Sequence, residues 1–148
     1  MNDRYLYRAK RTDDGEWVEG CLLIIDDSEY RIATSCLQGD VKELLNVCAY
    51  EVDQSTICQC TEINDKNGKL IWENDICRRV LLPTKRIKTN FKIAYVPYKC
   101  CILAIDLDGS NITFLSDYIN NQYEVEVIGN IFDNKKLLES EDKDENNY

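Results

Sequence analysis

The apolar positions of this chain fall in short runs, either alternating with polar residues or without a gap, and turn-forming residues punctuate them. That pattern predicts strands rather than helices. Tyr5 to Lys10 reads as a first strand, Asp13-Asp14-Gly15 as a turn, and Trp17 to Ile25 as the longest strand. Its half from Cys21 to Ile25 is apolar at every position, which predicts burial on both faces. Asp26-Asp27-Ser28 closes this strand and Tyr30 to Thr34 returns beside it. One helical signal follows in Gln38 to Asn46, where Asp40 can cap, Glu43 sits three residues on, and Leu44-Leu45 give an inward face. Val47 to Glu51 and Ser55 to Cys60 are extended again.

The stretch from Thr61 to Val80, TEINDKNGKLIWENDICRRV, allows the closest reading. Asn67-Gly68 lies between Thr61 to Ile63 and Leu70 to Trp72, and Asn-Gly is the strongest local signal for a hairpin because both residues tolerate positive φ. Glu73-Asn74-Asp75 then interrupts the apolar run, which predicts a second tight turn that pivots on Asn74 and starts a new strand over Ile76 to Val80. Glu73 and Asp75 could also be read as an acid/base pair, but no third catalytic partner lies nearby in sequence. Beyond Val80 the pattern loosens. Leu82-Pro83-Thr84 and Lys85 to Asn90 show no period, and a proline inside a strand removes a ladder donor, so an edge or loop is expected there. Phe91 to Tyr95, Cys100 to Leu107 and Ile112 to Leu115 read as strands, the last two joined around Asp108-Gly109. In Tyr123 to Ile131 the residues Tyr123, Val125 and Val127 face one way and Glu124 and Glu126 the other, as in a half-buried strand. Asn134 is expected to cap a final turn through Leu138.

Asp65-Lys66-Asn67-Gly68-Lys69, Ile71 and Glu73-Asn74-Asp75-Ile76 together resemble the signature of the YopX family, small proteins encoded by phages and prophages. Val52-Asp53, Ser55-Thr56-Ile57 and Gln59 resemble the approach to that signature. Trp17-Val18-Glu19-Gly20 resembles an N-terminal element, and Val127 to Asn134 the closing strand. One position departs: Asn74 stands where the family usually has glycine. The resemblance implies an all-β fold with one or two short helices, built as a small SH3-like barrel with an N-terminal β extension. It implies no activity and no functional residues. The expected organisation is one domain over residues 1–138, with an N-terminal subregion over 1–50 and the barrel-like part over 51–138, followed by a disordered tail over 139–148.

Composition narrows the function classes. At 148 residues the chain supports one core, with 44% hydrophobic and 30% charged residues as in ordinary soluble proteins. No apolar run is long enough for a membrane span and the N-terminus is too polar for a secretory signal, so a cytoplasmic location is expected. The tail from Glu139 to Tyr148 holds five acids and one lysine, a composition expected to be disordered. Eight cysteines would suit a disulfide framework in a secreted chain, but a reducing compartment argues against one. A structural zinc site favours cysteines two to four residues apart or joined by histidine, and this chain has no histidine. The cysteines are expected to be buried thiols packed as small hydrophobes, with no cofactor. The lack of histidine also removes any His-assisted nucleophile and the usual proton carrier near neutral pH. No enzymatic activity is expected. Asp106 to Ser110 with Asp117 loosely resembles a calcium loop, but its glycine falls two places early and the closing glutamate is missing.

Charge is the feature that points to a partner. The net charge is −9, yet between Ile76 and Ile105 there are seven basic residues and no acid, leaving 11 bases against 27 acids elsewhere. The candidate partner-binding residues are Arg78, Arg79, Lys85, Arg86, Lys88 and Lys92, with Lys99 beyond them. Such a stretch can guard a strand edge against aggregation. It can also meet an acidic protein or another subunit, or bind phosphates of nucleic acid through counterion release. The net charge and the lack of interleaved aromatics oppose a nucleic-acid platform. An opposite idea, an acidic DNA mimic that inhibits a host protein, draws on Asp26, Asp27, Glu29, Glu124 and Glu126, though excess acid also serves solubility. The expected function is a non-catalytic module for protein interaction or self-assembly.

Overall fold

The structure is a computed structural model that describes residues 5–34 and 49–139. The expected helix over Gln38 to Asn46, Cys36, Cys48 and the acidic tail beyond Glu139 lie outside the described residues. The chain divides into two compact units, Met1–Cys60 and Thr61–Tyr148. It is mostly β, with antiparallel pairing throughout the described strands.

In the first unit, β1 (Leu6–Lys10) pairs with β2 (Trp17–Ile24), which pairs with β3 (Tyr30–Ala33), which pairs with β4 (Ala49–Glu51). The other edge of β1 takes β5 (Cys58–Asn64) through Tyr7 and Arg8, opposite Gln59 and Cys58. Alternation places Ala9, Val18, Ile32 and Val52 in one buried cluster, with Tyr7, Leu22, Tyr30 and Tyr50 packed against it. The expectation that Cys21 to Ile25 is buried on both faces is corrected: Cys21, Leu22 and Leu23 are half-buried, and Ile24 is 65% exposed. The pairing of β2 with β3 ends at Ile24 opposite Tyr30, so this end projects past the core. Asp26 closes the turn, its Oδ1 accepting from the backbone N–H of Ser28 and Glu29.

In the second unit, β5 carries Glu62 at a positive φ of 63° and runs on to the Asn67-Gly68 turn. That turn leads to β6 (Leu70–Trp72), as the sequence predicts. Only Gly68 takes a positive φ, at 80°. Asn74, at φ 68°, makes the predicted second turn and starts β7 (Asp75–Leu81). From there β8 (Arg86–Val96), β9 (Cys101–Asp106), β10 (Ile112–Thr113) and β11 (Tyr123–Asn130) form a five-stranded sheet in the order β10-β9-β8-β7-β11. Two single-turn helices follow β10 and β11: α1 (Leu115–Tyr118) and α2 (Lys136–Glu139). No pairing joins the ends of the five-stranded sheet among the described residues, so no closed barrel forms and the SH3-like barrel is not confirmed.

Two further readings are corrected. Lys85 to Asn90 is not an aperiodic loop: Arg86 begins an eleven-residue strand, and the turn at Pro83 returns the chain so that Leu81 pairs with Arg86 and Val80 with Ile87. Ile112 to Leu115 is strand only as far as Thr113. Asn134 Oδ1 accepts from the Asn130 N–H at 3.0 Å, and the Asn134 carbonyl accepts from the Leu137 N–H at 3.0 Å where the final turn begins.

The core of the second unit lies on one face of this sheet. Ile71, Cys77, Phe91, Ile93, Ala104, Leu115, Tyr118 and Val125 form a single buried cluster, with Ile63 and Val127 against it. Two sheet edges are treated differently. At β11 the hairpin turn covers the edge: Lys66 N–H donates to Val125 carbonyl at 2.9 Å, and Val127 N–H donates to Asp65 Oδ2 at 3.1 Å. At the other edge β10 pairs with Ile105 and Ala104, and Cys101 to Leu103 of β9 has no outer strand among the described residues.

Candidate interaction surface

Alternation along β7 and β8 sorts the basic stretch. Cys77 and Phe91 are opposite one another in the core, so Arg79, two residues on from Cys77, shares the core face, and Arg78 takes the other. The Arg79 guanidinium lies 4.3 Å from the Tyr118 ring centroid and 4.7 Å from that of Tyr123. It therefore acts as a cationic lid over two aromatic faces, a contact worth about 0.5–2 kcal/mol per ring depending on desolvation. Lys85, in the turn at φ 60°, reaches Glu124 at 2.7 Å. Arg86 is exposed at the start of β8, Lys92 is half-buried opposite Ile76 and Ile105, and Lys99 sits in a short turn after β8. The Lys88 side chain is outside the described residues. The six predicted residues thus do not make one continuous patch. Arg78 and Lys92 share a face, Arg79 is turned away from them, and Lys85 is already neutralised.

A buried polar cluster on the core face was not predicted. Tyr118 donates its hydroxyl hydrogen to Asp106 Oδ1 at 2.6 Å and accepts from Asn111 Nδ2 at 2.8 Å, while its ring meets Phe91 edge-on at 4.8 Å. Burial and the hydrogen bond to Asp106 push the Tyr118 hydroxyl above its ordinary pKa, against the lowering influence of Asn111 and Arg79. Asp106 is only 7% exposed, and its second oxygen takes a long 3.3 Å bond from Ser110. The residues considered for calcium therefore diverge. Asp106 points inward, Asp108 caps its own turn by accepting from Ser110 N–H, and Asp117 accepts from Thr113. Tyr118→Phe is expected to cost about 1–3 kcal/mol in urea denaturation, because it strips the short bond from a buried carboxylate. A change within error would mean that water replaces the hydroxyl.

Asp75, one of the two carboxylates weighed as an acid/base pair, is 1% exposed and accepts from Trp72 N–H at 2.8 Å, so it braces the turn. The six described cysteines form no disulfide: Cys58, Cys60 and Cys77 are buried as expected, Cys21 and Cys101 are half-buried, and Cys100 is exposed. No three His, Cys, Asp or Glu side chains group as metal ligands among the described residues. No described helix is long and apolar enough to cross a membrane.

Large apolar side chains are exposed toward the open edge. Tyr95 is opposite Ile102 on β9. Tyr98 is 76% exposed, Phe114 is 59% exposed, and Ile112 is exposed as well. Hydrogen bonding fixes which β9 peptide groups look outward. Asp106 N–H donates across to Asn111 and Leu107 N–H donates back to Asn90, so Asp106, Ala104 and Ile102 direct their backbone groups away from β8. Asp106 and Ala104 meet the β10 side, and Ile102 has no strand on that side among the described residues.

No curated protein matches the chain. The family model described as YopX protein matches residues 6–139, the whole span from the start of β1 to the end of α2, and the chain belongs to the YopX family.

Proposed function

We propose that the chain is a non-catalytic interaction module that associates with a second copy of itself through the open edge of β9. The observation that carries this reading is the contrast between the two edges of the five-stranded sheet. One is covered by Asp65 and Lys66, and the other leaves the outer side of Ile102 without a paired strand among the described residues, beside exposed Tyr95, Tyr98 and Phe114. Antiparallel pairing of β9 with its own copy about a two-fold axis centred on Ile102 joins the unpaired backbone groups and holds the two Lys99 side chains at opposite ends. Packing of Ile63 and Ile71 onto the core shared by Cys77, Phe91 and Val125 supports an SH3-like character for this unit. The proposed setting is the cytoplasm of a bacterium carrying a phage or prophage, and it rests on the family resemblance. Light scattering after size exclusion is expected to show a dimer that dissociates on dilution. Phe114→Lys and Tyr98→Lys are expected to remain folded monomers. A wild-type monomer at every concentration overturns self-association.

A further inference from the structure

We propose that Arg78, Asn90 and Lys92 form a carboxylate-binding site for an acidic segment of a partner protein, with an apolar shelf beside it. The cross-strand register sets the site. Arg78 is opposite Asn90 and Ile76 is opposite Lys92, so Arg78 and Lys92 are diagonal neighbours on the face turned away from the core cluster. Across β7 on that face stand the two acids able to neutralise them. Glu126 is opposite Arg78 but lies 3.5 Å from Lys66, and Glu124 is opposite Val80 but is bound to Lys85.

The two cations that remain have no ion pair among the described residues, although both are half-buried. Arg78 Nε and Asn90 Oδ1 are each shut off from water without a hydrogen-bond partner. An unanswered guanidinium donor beside an unpaired ammonium is unfavourable in the free protein, and a carboxylate relieves both at once by accepting charge-assisted bonds. The Asn90 amide can turn to present its NH2 group to the same oxygen.

A protein segment fits better than nucleic acid. On this face Lys92 is opposite Ile105, and Ile105 is opposite exposed Ile112, with Phe114 two residues further along. An apolar surface thus adjoins the cations on one side. The expected ligand carries a carboxylate next to aliphatic or aromatic side chains. The cation pair lies on β7 and β8, inside the sheet rather than on its β9 edge, so Arg78 and Lys92 test this site separately from self-association, and Phe114 alone is shared with that edge.

The test is fluorescence anisotropy with a labelled peptide of glutamates interspersed with leucines, compared with the same peptide carrying glutamine for glutamate and with an oligothymidylate of equal charge. Saturable binding is expected for the acidic peptide alone. It should weaken about tenfold or more in Arg78→Gln and again in Lys92→Gln, since each removes one charge-assisted contact. Arg78→Met is expected to abolish binding while leaving the melting temperature unchanged or higher, because it removes an unsatisfied buried donor. The proposal is overturned by absent wild-type binding, by undiminished binding in both glutamine variants, or by tighter binding of the oligonucleotide. A fall of several degrees in the Arg78→Met melting temperature also overturns it, by making the guanidinium a structural support.

Discussion

Gly20→Ala is expected to destabilise the first unit by about 3 kcal/mol or more, at the upper end of what overpacking costs. Gly20 stands in the middle of β2, opposite Tyr7 on β1, with the end of β3 pressed against it. A β-carbon added there would overlap the Ala33 carbonyl oxygen and lie 2.8 Å from the carbonyl carbon and 3.2 Å from Ile32 Cγ2. The first two obstacles are backbone, and Ala33 is itself held by pairing with Cys21 and Ala49, so neither can move aside without breaking the β2-β3-β4 ladder. Gly15 is the control. It has a positive φ of 73° but nothing within 4 Å of an added β-carbon, so Gly15→Ala pays only the left-handed strain of about 1 kcal/mol. Hydrogen exchange is expected to show lost protection across Leu6–Lys10 and Tyr30–Ala33 in Gly20→Ala and near-normal protection in Gly15→Ala. Equal effects would mean that the sheet shifts to make room.

How much of this arrangement could be read from residues alone depends on whether the cause is local. The Asn67-Gly68 turn, the Asn74 pivot and the alternation of Tyr123, Val125 and Val127 are local, and all three are present. Arg86 to Asn90 was misread because nothing in its own pattern makes it a strand. It becomes one by continuing a ladder with β7, a long-range cause. The partner of Asp106 was not legible for a related reason: a strand-end carboxylate faces solvent or core according to register, and register here delivers it to Tyr118 twelve residues away. The division of the basic stretch is legible in the sequence. Arg78 and Arg79 are neighbours in a predicted strand, and neighbours in a strand face opposite ways. That alternation places Arg79 over two aromatic rings and Arg78 on the opposite face.

The stretch that carries the family resemblance can also be understood physically, because each of its unusual residues has a structural task. Gly68 and Asn74 supply the positive φ values of the two turns, and Asp75 accepts from Trp72 N–H across the second turn. Gly129 in the closing strand leaves the space filled by the Asn134 side chain, whose Oδ1 would be 2.5 Å from a β-carbon there. Ile131 N–H then donates to the Asn74 carbonyl at 3.0 Å, while Asn74 N–H donates to Ile93 at 2.7 Å. Two distant parts of the resemblance therefore meet at one residue.

Asp65→Asn is expected to cost about 2–4 kcal/mol, the loss that follows when buried backbone donors to a charged group go unmet. The carboxylate takes three N–H groups on two oxygens: Oδ1 accepts from Asn67 at 2.8 Å and Lys69 at 2.9 Å, and Oδ2 accepts from Val127 at 3.1 Å. An asparagine has one acceptor oxygen, so either orientation of its amide sets an NH2 group against a backbone N–H. One orientation opens the hairpin turn and the other releases the turn from β11. Burial alone would raise the Asp65 pKa, but the N–H groups of Val127, Lys69 and Asn67, with the Lys69 charge, outweigh it and hold the pKa below the ordinary carboxylate value. The sign of the pH dependence follows. A group whose folded-state pKa is depressed contributes stability that is fully present above its unfolded pKa, near 4, and is lost as pH falls through the lower folded value. Urea denaturation from neutral pH into the acid range is expected to show an acid limb that is shallower in Asp65→Asn than in wild type, with the two converging as Asp65 becomes protonated. Parallel curves with a constant offset would assign the cost to packing and remove the carboxylate from its role as the latch between the hairpin and the sheet edge.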